Sequence, residues 1–436
     1  MARLLRVAVI GGGIGGLVAA RALLLRGMEV TVYEQAPRLS EFGGGVVLTP
    51  NAVTALRALG LEARVLADAF ESRSQVVRSW RSGRVILRNS FASYRSHFGA
   101  TSCSIHRGDM QKLLSEFVPE RSLRLSARCT GVIPGPNVAI AKFADGNEVE
   151  ADVVVGADGI HSAVRTSLFG TEHPHFTGFM CWRGLVDPAR LPPGLVAPDQ
   201  TAWWGPYGYV VHYYVRRGEL LNWVAHIETD SWTEESWSTE GDMVELMATY
   251  RHWNRQLRQI FEATERCYKW ALYDRDPLTS WGRERVTLLG DSAHAMLPYL
   301  AQGAGQSIED ACVLAGLLER FSENPAAALA RYQALRLPRT RQIQLGARER
   351  GRLNHLSSPW AQLRRDAGIA LRRWRGATQA LQDIAWIYGY DAGRPPGDAV
   401  GAHDRVAFTP PLRALMLPGA AGAAEGPAGS PPSDTA

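Results

Sequence analysis

Short apolar runs alternate with helix-spaced segments along most of this chain. Residues 4–10 are an apolar run, 11–16 a glycine turn, 17–27 helix-spaced, and 28–34 apolar again. That order predicts a βαβ unit of the usual length, about 30 residues. A glycine-rich stretch at 41–52 leads into 51–66, where Val53, Leu56 and Leu59 predict one amphipathic helix. Residues 75–90 alternate with period two about Ser82-Gly83, which predicts a hairpin. A helix is predicted over 106–118. Strands follow at 122–134 and through 137–159, with Asp145-Gly146 as a hairpin turn.

From 178 to 270 the pattern changes. Nine of the 13 tryptophans lie between Trp182 and Trp281. Residues 201–228 alternate aromatic and apolar positions, which predicts a half-buried sheet. Helical spacing returns over 236–264 and again up to Tyr390. Residues 396–436 are rich in Ala, Gly, Pro and Ser and are expected to be disordered. No repeats are present.

Composition narrows the class. The chain has 436 residues, 46% hydrophobic and 21% charged, which suits a globular protein of two or three domains. No apolar run reaches the roughly 18 residues of a membrane span. The first residues read as a strand entering a turn and not as a leader, so a cytoplasmic protein is expected. Of 48 basic residues only Lys112, Lys142 and Lys269 are lysines, and the arginines are spread out. The net charge of +5 therefore reads as solvated helix surface and not as a nucleic-acid face. The five cysteines are far apart with no CxxC pair, against a disulfide framework or a metal site.

Three motifs carry chemistry. Gly11-Gly12-Gly13-Ile14-Gly15-Gly16 is a GxGxxG between a strand and a helix. Gly11 permits the tight turn, Gly13 the approach of a pyrophosphate, and Gly16 close helix–strand packing; the helix N-terminus, with Ile14 and Gly15, faces phosphate charge. The second strand ends in Glu34, placed to bind a ribose hydroxyl of FAD or NAD. The second motif is 153–165, an apolar strand followed by Gly156-Ala157-Asp158-Gly159 and a helix start. The third is 288–311, LLGDSAHAMLPYLAQGAGQSIEDA. Asp291 ends its strand, and Gly303, Ala304 and Gly305 open its helix.

Together these motifs resemble the single-component FAD-dependent aromatic hydroxylases, of the p-hydroxybenzoate hydroxylase fold. Residues 181–186 (CWRGLV), 209–225, 272–281 and 386–392 are similar to the salicylate hydroxylase-like branch. The resemblance covers about residue 5 to 391. It implies an α/β fold: a Rossmann-like FAD-binding domain interleaved with a substrate domain on a mixed or antiparallel β-sheet, then C-terminal helices. The FAD domain would take 1–75, 100–178 and 270–355, and the substrate domain 76–99 and 179–269. A helical segment would take 356–395, with the tail after it. One FAD would lie extended, its ADP end on the GxGxxG and Glu34, its ribityl chain and ring at Asp291 and 303–305. Arg107 would contact it, Val47 would edge the ring, and Asp158 would serve both FAD and a visiting NADH or NADPH.

The implied reaction uses NAD(P)H and O2 to hydroxylate a phenolic or heteroaromatic ring through a flavin hydroperoxide. Alternatives are the tailoring of a larger natural-product ring, and an uncoupled NAD(P)H oxidase. The partners expected are the small aromatic and O2, with no nucleic acid and no membrane, in a monomer or homodimer. A base or relay near the substrate phenol is expected on the strand around 209–217. Tyr209, Val211 and Tyr213 share one face there, and Val210, His212 and Tyr214 the other. The order of candidates is Tyr213, His212, Tyr209. In relatives a His often stands four residues before a Tyr on this strand; here Tyr209 occupies the His position. Pro298 and Tyr299 would lie near the ring. Arg183 would hold a substrate carboxylate or pair within the sheet. Trp204, with Trp203 and Trp223, would line an aromatic pocket, and His294 would be structural.

Overall fold

In the computed structural model, residues 4–39, 43–230, 239–374 and 377–394 are described. The expected disordered tail at 396–436 lies outside them.

The first strand, Arg6–Ile10, sits at the centre of a six-stranded sheet. It pairs in parallel with Glu29–Tyr33 on one side and Val153–Gly156 on the other. Val286–Leu288 continues the sheet in parallel beyond Val153–Gly156. All three chemistry-bearing motifs therefore leave the carboxyl ends of adjacent parallel strands, where such sheets bind ligands. The strands are buried on both faces, as their continuous apolar runs require. The helices Ile14–Leu24 and Gly303–Arg320 pack across this sheet in one apolar core.

The segment 51–66 is two helices, Pro50–Ala58 and Glu62–Asp68, and not one. Gly60 is left-handed at φ +71°, and the Gly60 and Leu61 N–H groups bond back to Arg57 and Leu56 carbonyls. That closes the first helix in a Schellman-type cap. The apolar spacing runs on through the break, which is why periodicity alone reads a single helix.

The second large element is an eight-stranded sheet. Its spatial order is Glu240–Gly241, Cys267–Asp274, His175–Val186, Leu220–Glu228, Gly208–Val215, Gln200–Gly205, Ser74–Ser79 and Val85–Ser90. All pairs are antiparallel except Gln200–Gly205 with Ser74–Ser79. The two faces differ. Trp182, Trp203, Trp223 and Val210 join a core with Leu246, Leu257 and Phe261 of the helices Met243–Thr249 and Arg255–Glu262. The opposite face looks towards the six-stranded sheet across a cavity.

A buried ion network holds the two long C-terminal helices, Gly303–Arg320 and Pro325–Asn354, together. Arg336 donates to Asp310 at 2.7 Å and Glu309 at 2.6 Å, and Arg339 donates to Glu309 at 2.8 Å. Asp310 also meets His294 at 2.6 Å and accepts from the Gly290 N–H at 3.1 Å. Burial alone raises both carboxyl pKa values. The two arginines outweigh that at Glu309, and His294 with Arg336 at Asp310, so both end below the ordinary range. His294 thus braces the Gly290–Asp291 loop from behind.

Candidate active site

A cavity of about 1480 Å³ runs between the two sheets. It exceeds the roughly 300–1,000 Å³ of a single small-ligand site, leaving room for an extended cofactor and a substrate together. At one end Gly13, Ile14 and Gly15 line it, and near its middle Asp291, Gly303 and Ala304 do. Two helix N-termini thus open into one chamber. Neither helix has a side-chain cap bond, so the N–H groups of the first turns that line the chamber, at Ile14, Gly15, Gly303 and Ala304, are left for a ligand.

The glycines divide by role. A Cβ at Gly13 would meet no atom within 4 Å. A Cβ at Gly11 would strike the Ala157 carbonyl at 2.3 Å, and one at Gly16 the Gly11 carbonyl at 1.9 Å. Gly11 and Gly16 are absent from the lining and serve strand–helix packing. Gly305 also leaves the lining: its Cβ would face Ala52 at 3.4 Å. Glu34 is anchored by backbone groups and keeps acceptor capacity on both oxygens. Its carboxylate accepts the Gly12 N–H at 2.6 Å and the Ala36 N–H at 2.8 Å, and its neighbour Gln35 lines the cavity. Asp158 accepts from Ser162 Oγ at 2.6 Å and Ser292 Oγ at 3.1 Å, stitching the second motif to the third. The Asp291 carboxylate faces the chamber with no protein partner among the described residues. Val47 and Arg107 line the opposite wall. This set fits a flavin dinucleotide: open backbone at Gly13, a free carboxylate at Asp291, and N–H groups at both helix starts.

The sheet wall follows from register. One row across the strands is Trp270, Cys181, His226, Tyr209 and Trp204; the next is Arg183, Val224, Val211 and Ala202. A third brings Asn222 against Tyr213. These residues alternate with the buried core positions along each strand, so they share the cavity face. His212 does not. It lies on the core face, its ring centroid 6.4 Å from that of Trp203, with both ring nitrogens unpartnered. Burial pulls its pKa down to about 3. The expectation that His212 could serve as a base is corrected by strand alternation, since no bulge intervenes. Trp203 and Trp223 face the core for the same reason, and only Trp204 of that group lines the cavity.

Tyr213 donates its hydroxyl proton to the Gly45 carbonyl at 2.8 Å, while Asn222 accepts from the Gly45 N–H at 2.7 Å. Burial raises the Tyr213 pKa far above that of a free phenol. Its oxygen can accept a hydrogen bond but does not take up a proton. Its evident work is to pin Gly45–Leu48, the strand carrying Val47. Tyr209 stacks on His226, centroids 5.3 Å apart, and burial pushes its pKa up to about 12.

Arg183 packs within the sheet by stacking and not by an ion pair. Its guanidinium lies 3.9 Å from the centroid of Trp270, and no carboxylate of the described residues pairs with it. Burial lowers its pKa to about 10, so it stays charged at neutral pH. Pro298 and Tyr299 close the chamber opposite the sheet. His226, Asn222 and Trp270 escaped the sequence reading, although a hairpin turning at Arg216–Gly218 puts His226 opposite Tyr209.

Residues 5–346 match the family described as "FAD binding domain". The chain belongs to the FAD-dependent aromatic hydroxylases. It is 42% identical to 3-amino-4-hydroxybenzoate 2-monooxygenase PtnB3 of Streptomyces platensis, over 89% of this chain and 96% of that protein. The hydroxylase fold recurs in solved structures. HpxO of Klebsiella pneumoniae, complexed with FAD and uric acid, aligns with a TM-score of 0.78 at 25% identity, over 90% of this chain and 98% of that one. A salicylate hydroxylase substrate complex aligns with a TM-score of 0.76 at 27% identity, over 91% and 99%. FAD is thus the cofactor of this hydroxylase, and its motifs converge on one chamber. No helix among the described residues is long and apolar enough to cross a membrane.

Proposed function

We propose that this hydroxylase is a cytoplasmic, NAD(P)H-consuming monooxygenase of small aromatic or heteroaromatic carboxylates that carry a ring hydroxyl. The observation that carries the substrate class is Arg183. Arg183 is a half-buried cation without an acidic partner among the described residues, and a ligand carboxylate would supply the missing charge. The relative acting on an aminohydroxybenzoate supports the same reading.

FAD, when bound, supplies hydride acceptance from NAD(P)H and the activated oxygen drawn from O2. The chain supplies placement. Arg183, held flat on Trp270, would orient the carboxylate. Tyr213 and Asn222 fix Gly45–Leu48 so that the substrate wall and the cofactor wall keep their spacing. Trp204, Tyr209 and Val211 exclude water from the ring.

The test follows NADH and NADPH oxidation with hydroxybenzoates, aminohydroxybenzoates, hydroxynicotinates and larger phenols, counting peroxide alongside. Carboxylated phenols should stimulate oxidation with little peroxide. Arg183→Met should raise their KM by roughly 10- to 100-fold, the worth of a charge-assisted hydrogen bond. Equal turnover of phenols lacking a carboxylate would remove Arg183 from substrate binding. Turnover of large rings alone would favour a tailoring enzyme, and peroxide with every ring an uncoupled oxidase.

A further inference from the structure

Three buried polar atoms gather where the Tyr209 row meets the Pro298–Tyr299 turn. His226 Nδ1, Tyr299 Oη and His355 Nε2 have no hydrogen-bond partner. His226 is 2% exposed, Tyr299 8% and His355 7%. Their rings enclose one spot: centroids are 5.6 Å apart for His226–Tyr299, 5.3 Å for Tyr299–His355 and 6.4 Å for His226–His355. His226 and Tyr299 line the cavity, and His355 stands one layer behind.

Each ring is held from outside. His355 Nδ1–H donates to the Gly351 carbonyl at 2.8 Å, which leaves the lone pair on Nε2. The Tyr299 ring lies against Gly351, where a Cβ would come within 2.6 Å of it. His226 is stacked on Tyr209. Burial keeps both imidazoles neutral, and a neutral imidazole offers an acceptor. Orphaned polar atoms of this kind cost free energy unless a partner arrives. Tyr209, Trp204 and Leu297 line the cavity beside His226 and Tyr299, so the orphaned atoms lie among aromatic and aliphatic neighbours, with His355 behind them.

We infer that His226 and Tyr299, positioned by His355, form the subsite that reads a hydrogen-donating ring substituent, a hydroxyl or an amino group. His226 is a diagonal neighbour of Arg183 across the two paired strands, about 7–8 Å away. That separation matches the span of a substituted benzene ring, so the donor would sit across the ring from the carboxylate. The inference rests on the carboxylate reading above and adds the second anchor that fixes which ring carbon is presented.

The test is equilibrium binding to the oxidised FAD holoenzyme without NAD(P)H, read by perturbation of the flavin absorbance. The probes are benzoate, 3- and 4-hydroxybenzoate and 3-amino-4-hydroxybenzoate. Wild type should prefer the donor-bearing probes. His226→Leu and Tyr299→Phe should each lose roughly ten-fold of that preference, with benzoate binding unchanged. His226→Asn, which keeps an acceptor, should restore part of it. Tyr299→Phe removes a single oxygen and keeps the test usable if His226→Leu misfolds. Variants that keep the preference, or weaken benzoate equally, overturn the subsite while leaving Arg183 untouched. A wild type that binds no aromatic carboxylate overturns the carboxylate reading itself, and the subsite with it.

Discussion

His212 and Tyr213 are adjacent in the chain and point to opposite faces of one strand. Tyr213 meets the Gly45 loop, whereas His212 sinks among tryptophans with two unpartnered nitrogens. A buried imidazole without partners subtracts from stability, so His212→Leu should stabilise the protein by about 1–2 kcal/mol in denaturant unfolding and leave turnover intact. Loss of turnover in a well-folded variant would return His212 to the chemistry. The same residue bears on pH. His212 and His226 have folded pKa values near 3 and His355 near 4, all below the free value of about 6.5. The stability tied to their neutral forms is complete above about pH 6.5 and is lost as pH falls towards the folded values. The melting temperature should therefore begin to drop below about pH 6.5, less steeply in His212→Leu.

Among the elements, the two helix N-termini do most to define the chamber. Gly13 caps one of them in extended backbone, φ −71° and ψ −178°, which any L-residue adopts. Since a Cβ there touches no protein atom, Gly13→Ala should leave the melting temperature of the apo protein within about 1 °C of wild type and weaken FAD retention at least ten-fold. Fluorescence titration of apoprotein with FAD reads this directly. Unchanged FAD affinity would mean that the pyrophosphate does not approach Gly13. The break at Gly60 is a contrasting case, in which a left-handed glycine governs helix length and nothing at the cavity.

The whole molecule is held together by charge as well as by its cores. Arg336 is fully buried between Glu309 and Asp310, and it ties helix Pro325–Asn354 to the loop behind Asp291. Arg336→Met should cost about 3–5 kcal/mol by stranding buried carboxylates, and should lower FAD affinity through the loosened Gly290 loop. Differential scanning calorimetry and FAD titration check both effects. Because Glu309 and Asp310 titrate below their ordinary range, their contribution is complete above about pH 4 and disappears as pH falls through the lowered values. At this scale the division between chain and fold is plain. Local order in the chain carried the βαβ unit, the three strand-end motifs, the hairpins at Gly83 and Gly146, and two sets of alternating residues on the strand at Tyr209. Those features depend on neighbours within a few residues, and periodicity and turn chemistry report them. Which strand face meets the cavity depends on what packs on the other side, here the helices carrying Leu246 and Leu257. The orientation of Arg183 on Trp270, the anchoring of Glu34 by the Gly12 N–H, and the gathering of His226, Tyr299 and His355 bring together residues far apart in sequence. Such contacts leave no periodic trace along a chain, and only the tertiary structure decided them.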